Sequence, residues 1–362
     1  MNSKAKNAIV TTFFILLGVA FVFWFWSKLT PNERMLMWQS LSDTNVFWFA
    51  LAIVVSLLSH YVRGLRWRLL GETFGCNVSK LSSFLAVMSG YLTNLAVPRL
   101  GEVVRCTMLH KSDNVPIDKS IGSVLTERAA DMVLFLLFLL LTLVISTDVL
   151  TSYTQRNFNA DFGSYVIPLA VCAIAFAVIV AVFCIFGRRL RQTILFKKIA
   201  NFAKGLLQGI KSIIKLRRPW LFVFYSFAIW ALWIVGTLCC FMAIDQTSQL
   251  NLVHALTTTV LGAFGPMITP GGIGLQPAIY AEVLQSFAID RAVGYACGWL
   301  SWIASQSGTI LVGLFAFVYF SFKKKSKSKD SVHKRLFRFV TLGTRRLSCK
   351  SKGPWRPIDC RH

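Results

Sequence analysis

Asn94-Leu-Ala-Val-Pro-Arg-Leu-Gly-Glu-Val-Val-Arg105 interrupts an apolar chain with Pro98, Gly101 and three charges, Arg99, Glu102 and Arg105. Glu127-Arg-Ala-Ala-Asp131 then adds Glu127, Arg128 and Asp131. Ionisable groups inside hydrophobic sequence are costly, and where they persist they face a bundle interior or a cavity and mark a pathway or a site. Reading outward from this stretch decides the fold.

The 362 residues are 55% hydrophobic and 15% charged, with several apolar runs near the length that crosses a bilayer. This is the composition of an all-α, polytopic membrane helix bundle. The first span covers about residues 8–26 and ends in Phe-Trp-Phe-Trp26, an interfacial aromatic anchor that a cleaved signal would not carry. Residues 46–61 form a second span, closed by Arg63, Arg66 and Arg68 ahead of a short interfacial piece. Residues 81–97 are only moderately apolar and stop at Pro98. As a crossing they would place Arg99, Arg105, Lys111, Lys119 and Arg128 outside, against the positive-inside rule, so they read as a re-entrant element. Residues 129–149 and 165–186 are full spans, followed by a basic connector over 188–218.

The second half repeats this plan. Residues 220–244 cross the membrane, and residues 252–268 are again moderately apolar and break at Pro270-Gly-Gly-Ile-Gly274. A long apolar run over 292–322 precedes a basic tail. About six full spans plus two re-entrant broken hairpins result, arranged as inverted pseudo-repeats with halves of about 1–218 and 219–322. The tail, 323–362, reads as disordered and cytoplasmic, a polybasic surface for anionic headgroups. This topology puts 35 of the 39 Lys and Arg inside, leaving Lys28, Arg34, Arg156 and Arg291 outside. Both termini are then cytoplasmic.

The net charge of +24 lies between spans and in the tail, so nucleic acid is not the partner. The expected partners are membrane lipids with anionic or zwitterionic headgroups, with self-association left open. The nine cysteines include no CxxC pair and read as small buried hydrophobes, and His60, His110 and His254 lack metal-site spacing, so neither metal nor cofactor is expected. Phosphate-loop, HExxH and GxSxG motifs are missing, which argues against an enzyme.

Two broken hydrophobic segments at corresponding places in two halves point to a transporter-type site between them. On a helix, Arg99, Glu102 and Arg105 share one face, as do Glu127 and Asp131. The arginines suit a phosphate, while the carboxylates balance that charge or hold a lipid amine. Alternatively, Arg99–Glu102 and Arg128–Asp131 are plain structural ion pairs. The Gly-rich turn offers backbone N–H groups at close approach, or is only a tight turn. Trp299 and Trp302 read as packing residues.

Asn94-x3-Pro-Arg-x-Gly-Glu-x2-Arg105, Glu127-Arg-x2-Asp131 and Pro270-Gly-Gly-x-Gly274, in this order, resemble the lysylphosphatidylglycerol synthase transmembrane-region family of flippase-like, UPF0104 integral membrane proteins. The resemblance covers about residues 8–322. It implies a plasma-membrane protein that moves a charged-headgroup lipid, a phospholipid or polyprenyl-phosphate carrier, between leaflets without ATP hydrolysis. It also marks Asn94, Pro98, Arg99, Gly101, Glu102, Arg105, Glu127, Arg128, Asp131, Pro270, Gly271, Gly272, Gly274 and Gln276 as substrate-binding. Gln276 stands where the family often has Glu. The soluble aminoacyl-transferase domain of some members has no counterpart here, so synthesis is not carried over. The alternatives are a membrane-embedded transferase and a membrane scaffold or regulator.

Overall fold

A computed structural model describes residues 12, 16, 19–72, 78–97, 100–146, 213 and 216–348, with side chains to 323. The expected span over 165–186 and most of the connector over 188–218 lie outside these residues, as does most of the first half of the initial span. Two compact units are present, Met1–Ala316 and Phe317–His362.

All regular structure among the described residues is helical. We number α1 (Val19–Lys28), α2 (Pro31–Ser42), α3 (Val46–Glu72), α4 (Lys80–Ala96), α5 (Leu100–Asp113) and α6 (Ile117–Ile145). After these come α7 (Pro219–Ala243), α8 (Leu252–Gly262), α9 (Phe264–Ile268), α10 (Leu275–Gln285) and α11 (Arg291–Ser348). Four stretches are long and apolar enough to cross a bilayer: α3, α6, α7 and the Arg291–Lys323 part of α11. Many large apolar side chains on them stay exposed, among them Leu136, Leu140 and Val144 of α6 and Phe224 of α7, as expected of helices solvated by lipid.

Two boundaries differ from the sequence reading. The second span does not end near Tyr61. No proline intervenes, and α3 runs unbroken to Glu72, which carries Arg63 and Arg66 into the bundle. Only Arg68 is left as an outer charge, 3.8 Å from Glu72. Likewise α6 starts at Ile117, behind Pro116 at its N-cap, so Glu127 and Arg128 lie along the same continuous helix as Asp131 instead of ahead of it. The basic stretch after Lys323, expected to be disordered, is helical through Ser348. Lysine, arginine and leucine are good helix formers, and no proline occurs there.

Local chemistry explains the entry to the bundle. Thr30 and Glu33 form a capping box ahead of α2, with Pro31 at the first helical position. The Thr30 N–H and hydroxyl both donate to the Glu33 carboxylate and hold its pKa below the usual range. Packing then gathers Phe25, Ile234, Phe241, Leu284, Val293 and Tyr295 into one core, with Phe25 stacked on Tyr295 at 4.0 Å. A smaller cluster joins Leu134 and Phe135 of α6 to Trp230 of α7 and Val260 of α8. An extensive packed seam runs between α3 and α7.

Candidate functional site

The α4–α5 corner comes first, because it sets the position of the charges. Helix α4 ends at Val97, whose N–H bonds the Thr93 carbonyl, and α5 begins at Leu100. Pro98 and Arg99 lie outside the described residues. A helix rarely continues into the residue before proline, which accounts for the break. The two helices then fold back on each other at Gly90 and Gly101. A Cβ at Gly101 would sit 1.9 Å from the Gly90 carbonyl oxygen, so only glycine permits this approach. The Asn94 side-chain oxygen accepts from the Gly101 N–H at 2.8 Å, satisfying a free donor of the first turn of α5. Asn94 is thus a corner brace as well as a candidate ligand.

Against this corner lies a buried ion network that the sequence reading found only in part. Glu127 and Asp131, one turn apart on α6, face three guanidinium groups. Arg105 Nη2 donates to Glu127 Oε2 at 2.6 Å, and Arg66 Nη2 to Oε1 at 3.0 Å. Arg63 Nη1 donates to Asp131 Oδ2 at 2.6 Å, and Arg66 Nη2 lies 2.7 Å from Oδ1. Every carboxylate oxygen is therefore engaged. Arg63, Arg66, Arg105 and Glu127 are 4%, 0%, 5% and 1% exposed, which makes this a buried charge cluster. Three cations face two anions, leaving one positive charge in excess.

Aromatic faces absorb part of that excess. Arg105 stacks over Trp67 at 4.5 Å, Arg63 over Trp233 at 5.3 Å, and Arg66 over Phe222 at 5.4 Å. Arg66 also donates to Ser226 Oγ at 3.0 Å. Even so, the Nε atoms of Arg63, Arg66 and Arg105 are buried without a hydrogen-bond acceptor among the described residues. The site is rich in donors and short of acceptors.

Arg63 and Arg66 are the residues missed in the sequence, where they read as the inner flank of a span. Their spacing of three, with His60 one turn before, was the available signal. The simple pairings also come out differently. Arg128 pairs with Glu102, Nε to Oε1 at 3.0 Å, and Asp131 pairs with Arg63 and Arg66. The Glu102–Arg128 pair differs from the buried network in exposure, at 35% and 45% of the side chain. A shallow cleft lies here, lined by Tyr91, Asn94, Gly101, Glu102, Arg105 and Arg128.

The second turn is built by glycine and proline. Pro266 lacks the N–H that would bond the Gly262 carbonyl, and α8 breaks into the short α9 just before it. Pro270–Gly272 is one 3₁₀ turn, and Gly271, Gly272 and Gly274 all have positive φ, at 60°, 79° and 73°. Gln276 folds back over this turn, and a Cβ on Gly272 would lie 2.9 Å from its amide oxygen. Trp302 does more than pack, because its indole N–H donates to the Gly271 carbonyl at 2.9 Å. The two turns touch. A Cβ at Gly271 would meet Leu95 Cδ2 at 2.2 Å, and Leu95 is the neighbour of Asn94. Asn94, Gly101, Glu102, Arg105 and Arg128 thus share the cleft, Glu127 and Asp131 back it, and Pro270, Gly271, Gly272, Gly274 and Gln276 form a separate turn joined to it through Leu95.

A family profile described as lysylphosphatidylglycerol synthase TM region matches residues 9–313. The chain belongs to that family. Members similar to it include a UPF0104 membrane protein of Methanocaldococcus jannaschii, 22% identical over 306 residues, covering 76% of this chain and 85% of the relative. A second, from Methanothermobacter thermautotrophicus, is 22% identical over 335 residues, covering 87% of this chain and 94% of the relative. No solved structure matches the chain. In this member of the lysylphosphatidylglycerol synthase transmembrane-region family, all three matching motifs lie within the matched residues, and two of them meet in the charge cluster. Among the described residues no group of three or more His, Cys, Asp or Glu is placed to hold a metal ion.

Proposed function

We propose that the protein is a lipid translocase that moves a lipid with a phosphate-bearing headgroup between leaflets without ATP hydrolysis. The observation that carries the reading is the buried cluster of three arginines against two carboxylates at the back of a small cleft, in a helical membrane protein. Arginine is suited to planar, multidentate recognition of phosphate oxygens. Because Glu127 and Asp131 are already taken up by guanidinium groups, recognition of a lipid amine through them is disfavoured. In this reading Arg105 and Arg128 meet the phosphate, Asn94 and Gly101 shape the cleft, and Arg63 and Arg66 supply positive potential from behind. Six full spans with two re-entrant hairpins of opposite orientation, in the plasma membrane with both termini cytoplasmic, are the topology that goes with it. The Leu95–Gly271 contact supports the pairing of the two hairpins, since it joins the two broken segments at one point.

The test is transfer of fluorescent phosphatidylglycerol across vesicles containing the purified protein, followed by dithionite quenching of the outer leaflet. Transfer above that of empty vesicles is expected for the wild type, and loss of it in Arg128→Ala at equal insertion. Unchanged transfer in Arg128→Ala removes the site assignment. A wild-type protein that moves no phosphate lipid removes the function, and the transferase alternative is then tested by mass spectrometry for product.

A further inference from the structure

The cluster has two layers of different character. In the inner layer, Arg105 is held by Glu127 at 2.6 Å with both side chains at 6% exposure or less. In the outer layer, Arg128 and Glu102 meet through a single hydrogen bond at 3.0 Å with a third or more of each side chain exposed. Arg128 uses only its Nε there, and its two terminal nitrogens make no hydrogen bond to the described residues. Both partners line the same cleft. A single hydrogen bond holds this partly exposed pair, whereas several buried contacts knit the inner network, so the outer pair separates at less cost than the inner one.

Charge gives the second argument. Among the described residues Arg63, Arg66, Arg105 and Arg128 face Glu102, Glu127 and Asp131, so the cluster is positive with Glu102 in place and more positive once Glu102 leaves, which favours an incoming anion. A phosphate on the free terminal nitrogens of Arg128 would lie beside the Glu102 carboxylate on Nε, and repulsion between two anions on one guanidinium favours the departure of Glu102. A carboxylate and a phosphate also present the same pair of oxygens to a guanidinium fork.

Resting on the translocase reading, we infer that Glu102 is a built-in placeholder for the ligand phosphate. It occupies Arg128 in the empty cleft and is displaced by the incoming headgroup, so that binding exchanges one ion pair for another. Glu102 then sets the affinity of the site. It weakens retention of every anion that takes Arg128, so an anion that contacts Arg105 as well is the one still held. For a translocase this keeps a charged headgroup from being trapped in a positively charged site.

The experiment titrates the purified full chain in dodecyl maltoside micelles with phosphatidylglycerol, read by native mass spectrometry, with glycerol 1-phosphate as a water-soluble competitor. Glu102→Gln is expected to bind the lipid about two- to fivefold more tightly, the range of an exposed ion pair. Arg128→Gln is expected to bind it at least about tenfold more weakly, as loss of a charge-assisted contact implies. The double variant should follow Arg128→Gln. Monodisperse elution of each variant confirms that it folds, and Glu102→Asp, which keeps the charge, should stay near the wild type. If Glu102→Gln binds as the wild type does, or more weakly, the placeholder is overturned while the phosphate site stands. If the wild type binds no phosphatidylglycerol, the phosphate reading falls and the placeholder with it. Competition by glycerol 1-phosphate at lipid-like concentrations assigns the anion to soluble phosphate esters and leaves the exchange in place; its absence assigns the anion to the lipid.

Discussion

Replacing Glu127 with glutamine should be among the most damaging single changes in the chain, and the structure says by how much. Glu127 is 1% exposed and accepts from Arg105 at 2.6 Å and Arg66 at 3.0 Å, with Arg63 at 3.5 Å. Without its charge, three guanidinium groups face Asp131 alone, and breaking a buried pair in this way costs about 3–5 kcal/mol. Arg105 has Glu127 as its one carboxylate partner among the described residues, so Arg105→Gln leaves the complementary imbalance. In the double variant one charge of each sign is gone, and the remaining pair of cations still has Asp131. The double variant should therefore be less destabilised than the sum of the singles, by at least about 1 and up to about 3 kcal/mol. Equilibrium unfolding in mixed micelles, titrated with sodium dodecyl sulfate, measures all four proteins. The same cycle on Glu102 and Arg128, both partly exposed, should give a coupling of only about 0–1 kcal/mol. Additivity within about 0.5 kcal/mol for the Glu127–Arg105 cycle would refute the two-layer account of the cluster.

Two further changes test the corners. Gly101→Ala drives a Cβ into the Gly90 carbonyl at 1.9 Å and should destabilise by the upper end of the about 1–3 kcal/mol typical of overpacking, or more, whereas Gly122→Ala, with nothing within 4 Å, should be neutral or stabilising by less than about 1 kcal/mol. Equal effects in the two variants, by the same unfolding titration, would count against the α4–α5 contact. Trp302→Phe removes the indole donor to Gly271 and leaves Gln306 Nε2 at 3.5 Å, so hydrogen–deuterium exchange over residues 269–275 should rise by about tenfold or less, in line with about 0.5–1.5 kcal/mol for one hydrogen bond. Unchanged exchange would show that the turn holds itself.

The sequence made the membrane class and the location of the charges legible, and the reasons are local. Apolar runs of spanning length have no other stable solution, so α3, α6, α7 and the Arg291–Lys323 helix were readable from hydropathy. Proline and glycine punctuate strongly, so the breaks at Pro98 and at Pro270 to Gly274 were readable too. The pairing of side chains was not. Arg128 takes Glu102 instead of Asp131, 26 residues away along the chain, because α5 and α6 lie side by side, and no spacing rule reaches across two helices. Arg63 and Arg66 were hidden for a different reason. At the end of an apolar run a basic residue is the ordinary flank of a span, and only the packing of α3 against α6 turns it into a buried one.

Those two arginines alter the chemistry beyond adding names to the site. Taken alone, the sequence motifs balance, with Arg99, Arg105 and Arg128 against Glu102, Glu127 and Asp131, and a balanced cluster suits a zwitterionic headgroup through either of its charges. Arg63 and Arg66 take Glu127 Oε1 and both Asp131 oxygens, at 2.6 to 3.5 Å, and Arg105 holds the remaining Glu127 Oε2 at 2.6 Å. The carboxylates are left as internal counterions, and the cleft presents guanidinium donors, with one carboxylate, Glu102, placed where it can leave. An amine gains nothing from such a surface, whereas a phosphate gains two arginines for one weak ion pair surrendered. On the phosphate-lipid reading proposed above, the class of headgroup is set by residues on a helix that carries none of the motifs quoted from the sequence.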